Sequence, residues 1–266
     1  DVIIDDNYIF KKIKLHRLGK GKNNVTQGLV IDDKTDGLYT LHVTGKPEKG
    51  VVNYFLLVDE SNKITACSFQ NPTDFIGHQG LTFDYSNGYL VSSAGDAFSY
   101  KGWFITHFKY QQQTFPYDMK FTKVFDRPYN TRVSTMPVLT LDAKYLIVRS
   151  KLNGRDLLRV YNSEEVNFRI ESDISSEQNT EWFIDAGLTN DNYVLQAITA
   201  DNKYIYVLTK QEEEPILEVW TWNGELVERY SLDKKISNFV VSNKYHTLYA
   251  VNKDIEDKIY VYKLPL

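Results

Sequence analysis

The tetrapeptide Gly77-His78-Gln79-Gly80 is the most individual element of this chain. An imidazole between small residues can bond a sugar hydroxyl, meet a phosphate when protonated, or act as a base. Its pKa lies near neutrality, and glycine lets backbone come close to a ligand. His42 and Arg149 each close an apolar run, and Arg132 and Arg155 stand in polar segments close by in sequence. The planar guanidinium fork suits phosphate or carboxylate. Trp182-Phe183 offers rings on which a sugar could stack. Asp74, Asp96, Glu181 and Asp185 are the acids from which a glycan-cleaving enzyme would draw a pair. Each feature also has an ordinary reading. Lone histidines commonly bond neighbouring backbone, single arginines are commonly solvated surface charges, and aromatic pairs commonly pack.

Other chemistry is poorly represented. There is no Gly-x-Ser-x-Gly elbow, no phosphate-cradling Gly-x4-Gly-Lys run and no His-Glu-x-x-His. The five histidines are scattered, and one cysteine, Cys67, excludes an intramolecular disulfide and a cysteine-built zinc site. No metal site and no cofactor are expected. In 266 residues, 31 basic and 35 acidic side chains are well mixed and give a net charge of -4, which argues against nucleic acid as partner. No apolar run approaches the ~20 residues of a membrane helix, so no membrane insertion is expected. The chain opens on Asp1 without signal-peptide features, as a processed or cut product would. Nineteen tyrosines, 14 phenylalanines and 4 tryptophans favour strands and surfaces that grip sugars or proteins.

The elements that must position these residues form a repeat. Gln27-Gly28-Leu29-Val30-Ile31-Asp32 returns as Gln79-Gly80-Leu81-Thr82-Phe83-Asp84. Later copies are Pro137-Val138-Leu139-Thr140-Leu141-Asp142, Gln196-Ala197-Ile198-Thr199-Ala200-Asp201 and a weaker Asn238-Phe239-Val240-Val241-Ser242-Asn243. Each is followed by a polar turn and a second short β-rich run, at a period of about 40 to 60 residues. This predicts one all-β domain over 1–266, a five-bladed propeller. The leftover segment Tyr8–Leu15 is expected to close the last blade as its outer strand. The expected fourth strand of the third blade is 166–170. The crossing Ser172–Val194 reads as the longest loop, carrying Trp182. The aspartates that end the phrases read as turn formers, since one active site would not need the same acid in every blade.

In such a ring the residues opening the innermost strands surround the channel mouth: Gln27, Gln79, Pro137, Gln196 and Asn238. A nearly complete collar of amides carries donors and acceptors without charge and suits hydroxyl-rich ligands. The same amides could instead bond neighbouring blades. Tyr100, Trp103, Phe115 and Tyr117 make a second aromatic group in the second repeat, read as packing.

The Gln-Gly-x-x-x-Asp phrases and Gly77-His78-Gln79-Gly80 resemble the propeller domain of teichoic-acid-associated TagC-like proteins. That domain also occurs in receptor-binding proteins of staphylococcal phages, and helveticin-type bacteriocins are similar. Gln27, Gly77, His78, Gln79, Gly80 and Gln196 carry the resemblance, while Pro137 and Asn238 depart from it. It implies recognition of a bacterial surface glycopolymer, an extracellular or virion-surface location, and a homotrimer if the chain is part of a phage tail protein. The expected ligand contacts are Gln27, His42, His78, Gln79, Arg149, Arg155, Trp182 and Gln196, with the arginines for any phosphate and Trp182 for ring stacking. Two other readings stand beside this one: a polysaccharide hydrolase or lyase on the same scaffold, and a protein-interaction or bacteriocin-like propeller.

Overall fold

The computed structural model describes residues 2–4, 9–12, 25–45, 47–56, 67–162, 164, 166–177, 179–184, 194–211, 214–232, 236–242, 247–252 and 258–263. Two short N-terminal strands, β1 (Val2–Ile4) and β2 (Ile9–Lys12), precede the repeats. A first sheet holds β3 (Val25–Asp32), β4 (Gly37–Thr44), β5 (Lys49–Leu56) and β6 (Cys67–Phe69). The second holds β7 (Ile76–Asp84), β8 (Tyr89–Ala94), β9 (Phe104–Lys109) and β10 (Tyr117–Lys123). Next come β11 (Val138–Leu139), β12 (Tyr145–Leu152) and β13 (Arg155–Asn162), then β14 (Ser172–Asp173), which joins the second sheet, and β15 (Thr180–Phe183), which completes the third. The fourth sheet is β16 (Val194–Ala200), β17 (Ile205–Gln211), β18 (Glu214–Trp220) and β19 (Leu226–Leu232), with β1 on its edge. The fifth is β20 (Ile236–Ser242), β21 (Thr247–Asn252) and β22 (Lys258–Lys263), with β2 on its edge. A 3₁₀ turn spans Lys101–Trp103.

The five sheets touch in a closed circle. β3 meets β7, β7 meets β11, β11 meets β16, β16 meets β20, and β20 returns to β3. The core is accordingly not one cluster but five seams. Leu41 and Val52 pack on Ile76 and Phe108 between the first and second sheets, and Val91 and Ile105 on Leu146 and Leu157 between the second and third. Leu158 and Ile147 pack on Val207 and Trp220, Leu217 and Val219 on Phe239 and Leu248, and Val240 and Val251 on Leu29 and Phe55. Strands buried on both faces need apolar runs, which is why Leu-Val-Ile and Tyr-Leu-Ile-Val stretches dominate.

The strand-ending aspartates form the turns. Asp32 accepts from Lys34 N–H (3.0 Å) and Thr35 Oγ1 (2.7 Å). Asp84 accepts from Ser86 N–H (2.9 Å) and Asn87 Nδ2 (2.7 Å). Asp201 accepts from Lys203 and Tyr204 N–H, each at 2.7 Å, and Asp142 from Lys144 N–H at 3.1 Å. Side-chain oxygens bonding backbone two or three residues on fix each hairpin.

Three sequence expectations change. Residues 166–170 are a turn, not a strand. Asn167 takes the Arg169 N–H on its side chain (3.0 Å) and the Ile170 N–H on its carbonyl (3.4 Å), and Phe168 lies 5.4 Å from the His107 ring of the second sheet. The outer strand of the third sheet is instead β15, taken from the stretch expected to be one long loop, and Arg159 stands opposite Glu181 in its register. In the third sheet the innermost strand shrinks to Val138–Leu139, so Pro137 precedes it.

Candidate functional site

The innermost strands share an irregularity at one end. In β3 the pairing with β4 skips between Thr26 and Gly28, leaving Gln27 as the bulged residue. In β16 the skip leaves Gln196, and in β20 it leaves Ser237. In β7 the whole Gly77–Gly80 stretch stands out of register between Ile76 and Leu81. The third sheet does the same outside its short strand: Arg149 N–H bonds the Thr135 carbonyl (2.6 Å), Val138 pairs with Ile147, and Met136 between them has φ +41°. Bulges release a residue from the ladder and re-aim its side chain. The structure thus brings the half-exposed Gln27, Gln79, Gln196 and Ser237 to equivalent positions on one end of the ring. The fifth position is Ser237 rather than Asn238, whose buried side chain accepts from Phe239 N–H at 2.9 Å. The third position is the buried Met136.

The Gln79 backbone is strained, with φ +61°. Its carbonyl accepts from Ser93 Oγ (2.5 Å), which in turn accepts from Met136 N–H (3.0 Å). That chain ties the bulge to the next sheet. The adjacent glycines are required by close packing. Gly80 has φ +106°, and a Cβ there would stand 2.7 Å from Met136 Cα, while one at Gly77 would strike the Ala94 carbonyl. Gly28 does the same job one sheet earlier, since its Cβ would lie 2.8 Å from that of Leu81. The Gln-Gly phrase is therefore an amide at the ring's end followed by a close approach between neighbouring innermost strands.

His78 is partly buried and faces three charged groups. Burial pushes its pKa down; the Glu48 and Asp96 carboxylates pull against that, and the Lys101 ammonium adds to it. The imidazole is neutral at pH 7, one nitrogen donating and the other accepting. Lys101 Nζ lies 2.9 Å from Asp96 Oδ1 and 4.0 Å from Glu48 Oε2, and Glu48 N–H donates to Asp96 Oδ2 (3.1 Å). The Lys101 hydrogen bond holds the Asp96 carboxyl below its ordinary range. Asp96 belonged to the expected acids. Glu48 and Lys101 did not enter the expected set, although both lie on the loops that join second to third strands at this end.

The other expected contacts are placed less openly. His42 and Arg149 occupy matching positions, opposite Thr26 and Thr135 just before the bulges. His42 is fully buried, its Nε2 3.0 Å from Thr40 Oγ1. Arg149 is buried and held by Asp156, Nε at 2.9 Å and Nη2 at 2.7 Å from Oδ1. Arg155 is exposed at the hairpin tip between β12 and β13. The Trp182 backbone pairs with Leu158 in β15; its side chain, and the whole of Asp185, lie outside the described residues.

Glu181 is no loop acid. It bonds Arg159, Arg127 and, at 3.0 Å, Tyr129 Oη. Burial pulls its carboxyl up, and the Arg159 guanidinium outweighs that and holds it down. The aromatic group of the second repeat is divided between two ends: Tyr100 and Trp103 flank the β8–β9 connection, while Phe115 and Tyr117 belong to the β9–β10 hairpin opposite. Among the described residues no group of three or more His, Cys, Asp or Glu is placed to hold a metal ion, and no helix is long and apolar enough to cross a membrane.

The chain matches no protein-family model and no curated protein. Solved structures are similar in fold. The PQQ domain of pyranose dehydrogenase from Coprinopsis cinerea, in its holo form, aligns over 98% of this chain and 96% of that one, with 8% identity and a TM-score of 0.54. The Cps50 (Swd1) β-propeller domain from Myceliophteria thermophila aligns over 96% of this chain and 100% of that one, with 11% identity and a TM-score of 0.46. The RRP9 WD40 repeats align over 96% and 97%, with 11% identity and a TM-score of 0.47. With the closed circle of sheets and almost no helix among the described residues, this is an all-β propeller built from repeats.

Proposed function

We propose that the five sheets are the five blades of one ring, closed by β2 on β22, and that the ring binds a hydroxyl-rich saccharide at the end where the innermost strands bulge. The observation that carries this reading is the set of half-exposed amides, Gln27, Gln79 and Gln196, released from the ladder beside the neutral His78. The amides themselves offer donors and acceptors without a fixed charge, the complement of sugar hydroxyls. A surface glycopolymer of a bacterial cell, met outside the cell, is the ligand class proposed. Arg149 is committed to Asp156, which leaves Arg155 as the expected arginine for any phosphate of the polymer.

The test is binding to an array of bacterial cell-wall glycans, followed by titration of any hit with the wild type and with a His78→Ala/Gln79→Gly double variant. Glycine keeps the left-handed backbone at position 79, so the variant's melting temperature should stay close to that of the wild type. Binding should fall at least tenfold. An unaltered affinity overturns the site. Sizing the glycan after incubation addresses cleavage, which the carboxylates of Glu48 and Asp96 around His78 would allow.

A further inference from the structure

We propose that the loop joining β8 to β9, residues 95–103, is a second saccharide subsite, with Tyr100 as the platform for a sugar ring and Asp96 with Lys101 as its hydroxyl partners. The proposal rests on the saccharide reading of the channel end and extends it: the ligand is a chain long enough to leave that end and run out along the second sheet.

Tyr100 is 54% exposed, yet its ring is held in place. It stacks on Trp103 with centroids 5.1 Å apart and planes 18° from parallel, and Trp103 N–H donates to the Tyr100 carbonyl at 2.9 Å. Trp103 is itself covered by Lys123 Nζ, 5.4 Å from its centroid, and Gly102 N–H fastens the turn to the Thr131 carbonyl at 2.8 Å. A ring fixed before binding loses little entropy when a ligand stacks on it. Phe75, 40% exposed, is packed against Phe98 of the same loop with centroids 6.0 Å apart, and its carbonyl accepts from Gly95 N–H at 3.0 Å.

The same loop presents the Asp96–Lys101 pair, acceptor and donor 2.9 Å apart, with Glu48 Oε2 4.0 Å from the ammonium. The C–H face of a pyranose suits the electron-rich face of an aromatic ring, and its hydroxyls suit such a pair. The large apolar residues exposed on the second sheet are all aromatic, whereas the exposed aliphatic ones, Ile170, Leu226 and Val227, lie on other segments. Gly95 and Ala97 N–H donate to the Phe75 and Asp74 carbonyls at 3.0 Å each, which fastens the loop to the chain just before the strand that carries His78.

The experiment uses a ladder of fragments, two to about ten sugars long, made by partial hydrolysis of the cell-wall polysaccharide that the wild type binds best. Each is titrated calorimetrically against the wild type, Tyr100→Ala, Tyr100→Phe and His78→Ala. Wild-type affinity should rise with length and then level off. Tyr100→Ala should lower affinity about five- to tenfold for long fragments and leave the shortest unchanged. Tyr100→Phe should restore it, and His78→Ala should weaken every length. If Tyr100→Ala matches the wild type at all lengths while His78→Ala does not, the subsite is wrong and the channel-end reading stands. If the wild type binds no fragment of any length, both fall. Binding that persists on glycan-stripped cells and is lost in Tyr100→Ala would make the loop a protein contact and also overturn the proposal.

Discussion

Gln79 and His107 show how differently two polar side chains can be used in one sheet. Gln79 accepts a left-handed backbone to stand out of its ladder, whereas His107 is fully buried in β9. The His107 Nε2 lies 3.0 Å from Thr122 Oγ1, and its ring meets Tyr89 and Phe168 edge-on. Burial lowers its pKa to about 4, against the backbone hydrogen bonds of Phe168 and Phe121. The consequence for stability has a definite sign. Above the unfolded value of about 6.5 both states are neutral; as pH falls below it the unfolded chain binds the proton first, and the folded protein resists until about 4. Stability therefore declines as pH drops through that window, by at most about 3 kcal/mol from this residue. Urea unfolding at several pH values from 7.5 to 4.5 should show a steeper loss for the wild type than for His107→Gln. Parallel curves would mean that His107 is not held neutral.

A buried arginine network in the third sheet explains why β15 exists. Arg159 is 1% exposed and bonds the Val124 carbonyl (3.1 Å), Tyr161 Oη (3.2 Å) and Tyr129 Oη (2.7 Å), with Glu181 across the strand pair. Its guanidinium also lies 4.7 Å from the Phe125 ring centre and 5.2 Å from that of Tyr129. Arg159→Leu should lower unfolding free energy by about 3 kcal/mol, because the partners lose a buried, multiply bonded cation. Arg159→Lys should not rescue it, since an ammonium cannot reproduce the planar fork. Equal stability of wild type and Arg159→Lys in urea melts would show that charge alone suffices. The same element marks the limit of what the sequence discloses. The repeated apolar phrases and their terminal aspartates are local signals, and they located the inner strands and hairpins to within a few residues. β15 depends on an ion pair between residues 22 apart and on aromatic packing, which no local periodicity records. For the candidate site, His78 and the glutamines were legible because they recur in, or interrupt, a phrase. Glu48 and Lys101 were not, because ordinary charged loop residues acquire meaning only when two loops meet, whereas Tyr100 and Trp103 stood out as an aromatic group and do pack on each other.

A circular array of sheets has one structural weakness, the place where its ends must be joined, and here the joint involves two sheets rather than one. Strand β2 adds antiparallel to β22, pairing Ile9 with Val261 and Lys12 with Lys258. Strand β1, a few residues earlier, adds in parallel to β19 of the neighbouring sheet, pairing Val2 with Tyr230 and Ile4 with Leu232. Strands β1 and β2 thus cover the outer edges of the fourth and fifth sheets together, and without β2 the outer ladder of β22 would be open. Exposed edges of this kind recruit other chains. Deleting residues 1–12 should therefore act on the whole ring and not on the fifth sheet alone. The sheets of β16 and β20 would each lose an outer strand, and those two innermost strands touch each other and, through β20, the β3 strand of the first sheet. The shortened protein should melt at least 5 °C lower in a single transition, and it should elute partly as larger species in size-exclusion chromatography. A second, separate transition confined to a minor part of the signal would show that the fifth sheet frays independently. An unchanged melting temperature would show that the circle is held by its five apolar seams without the strap.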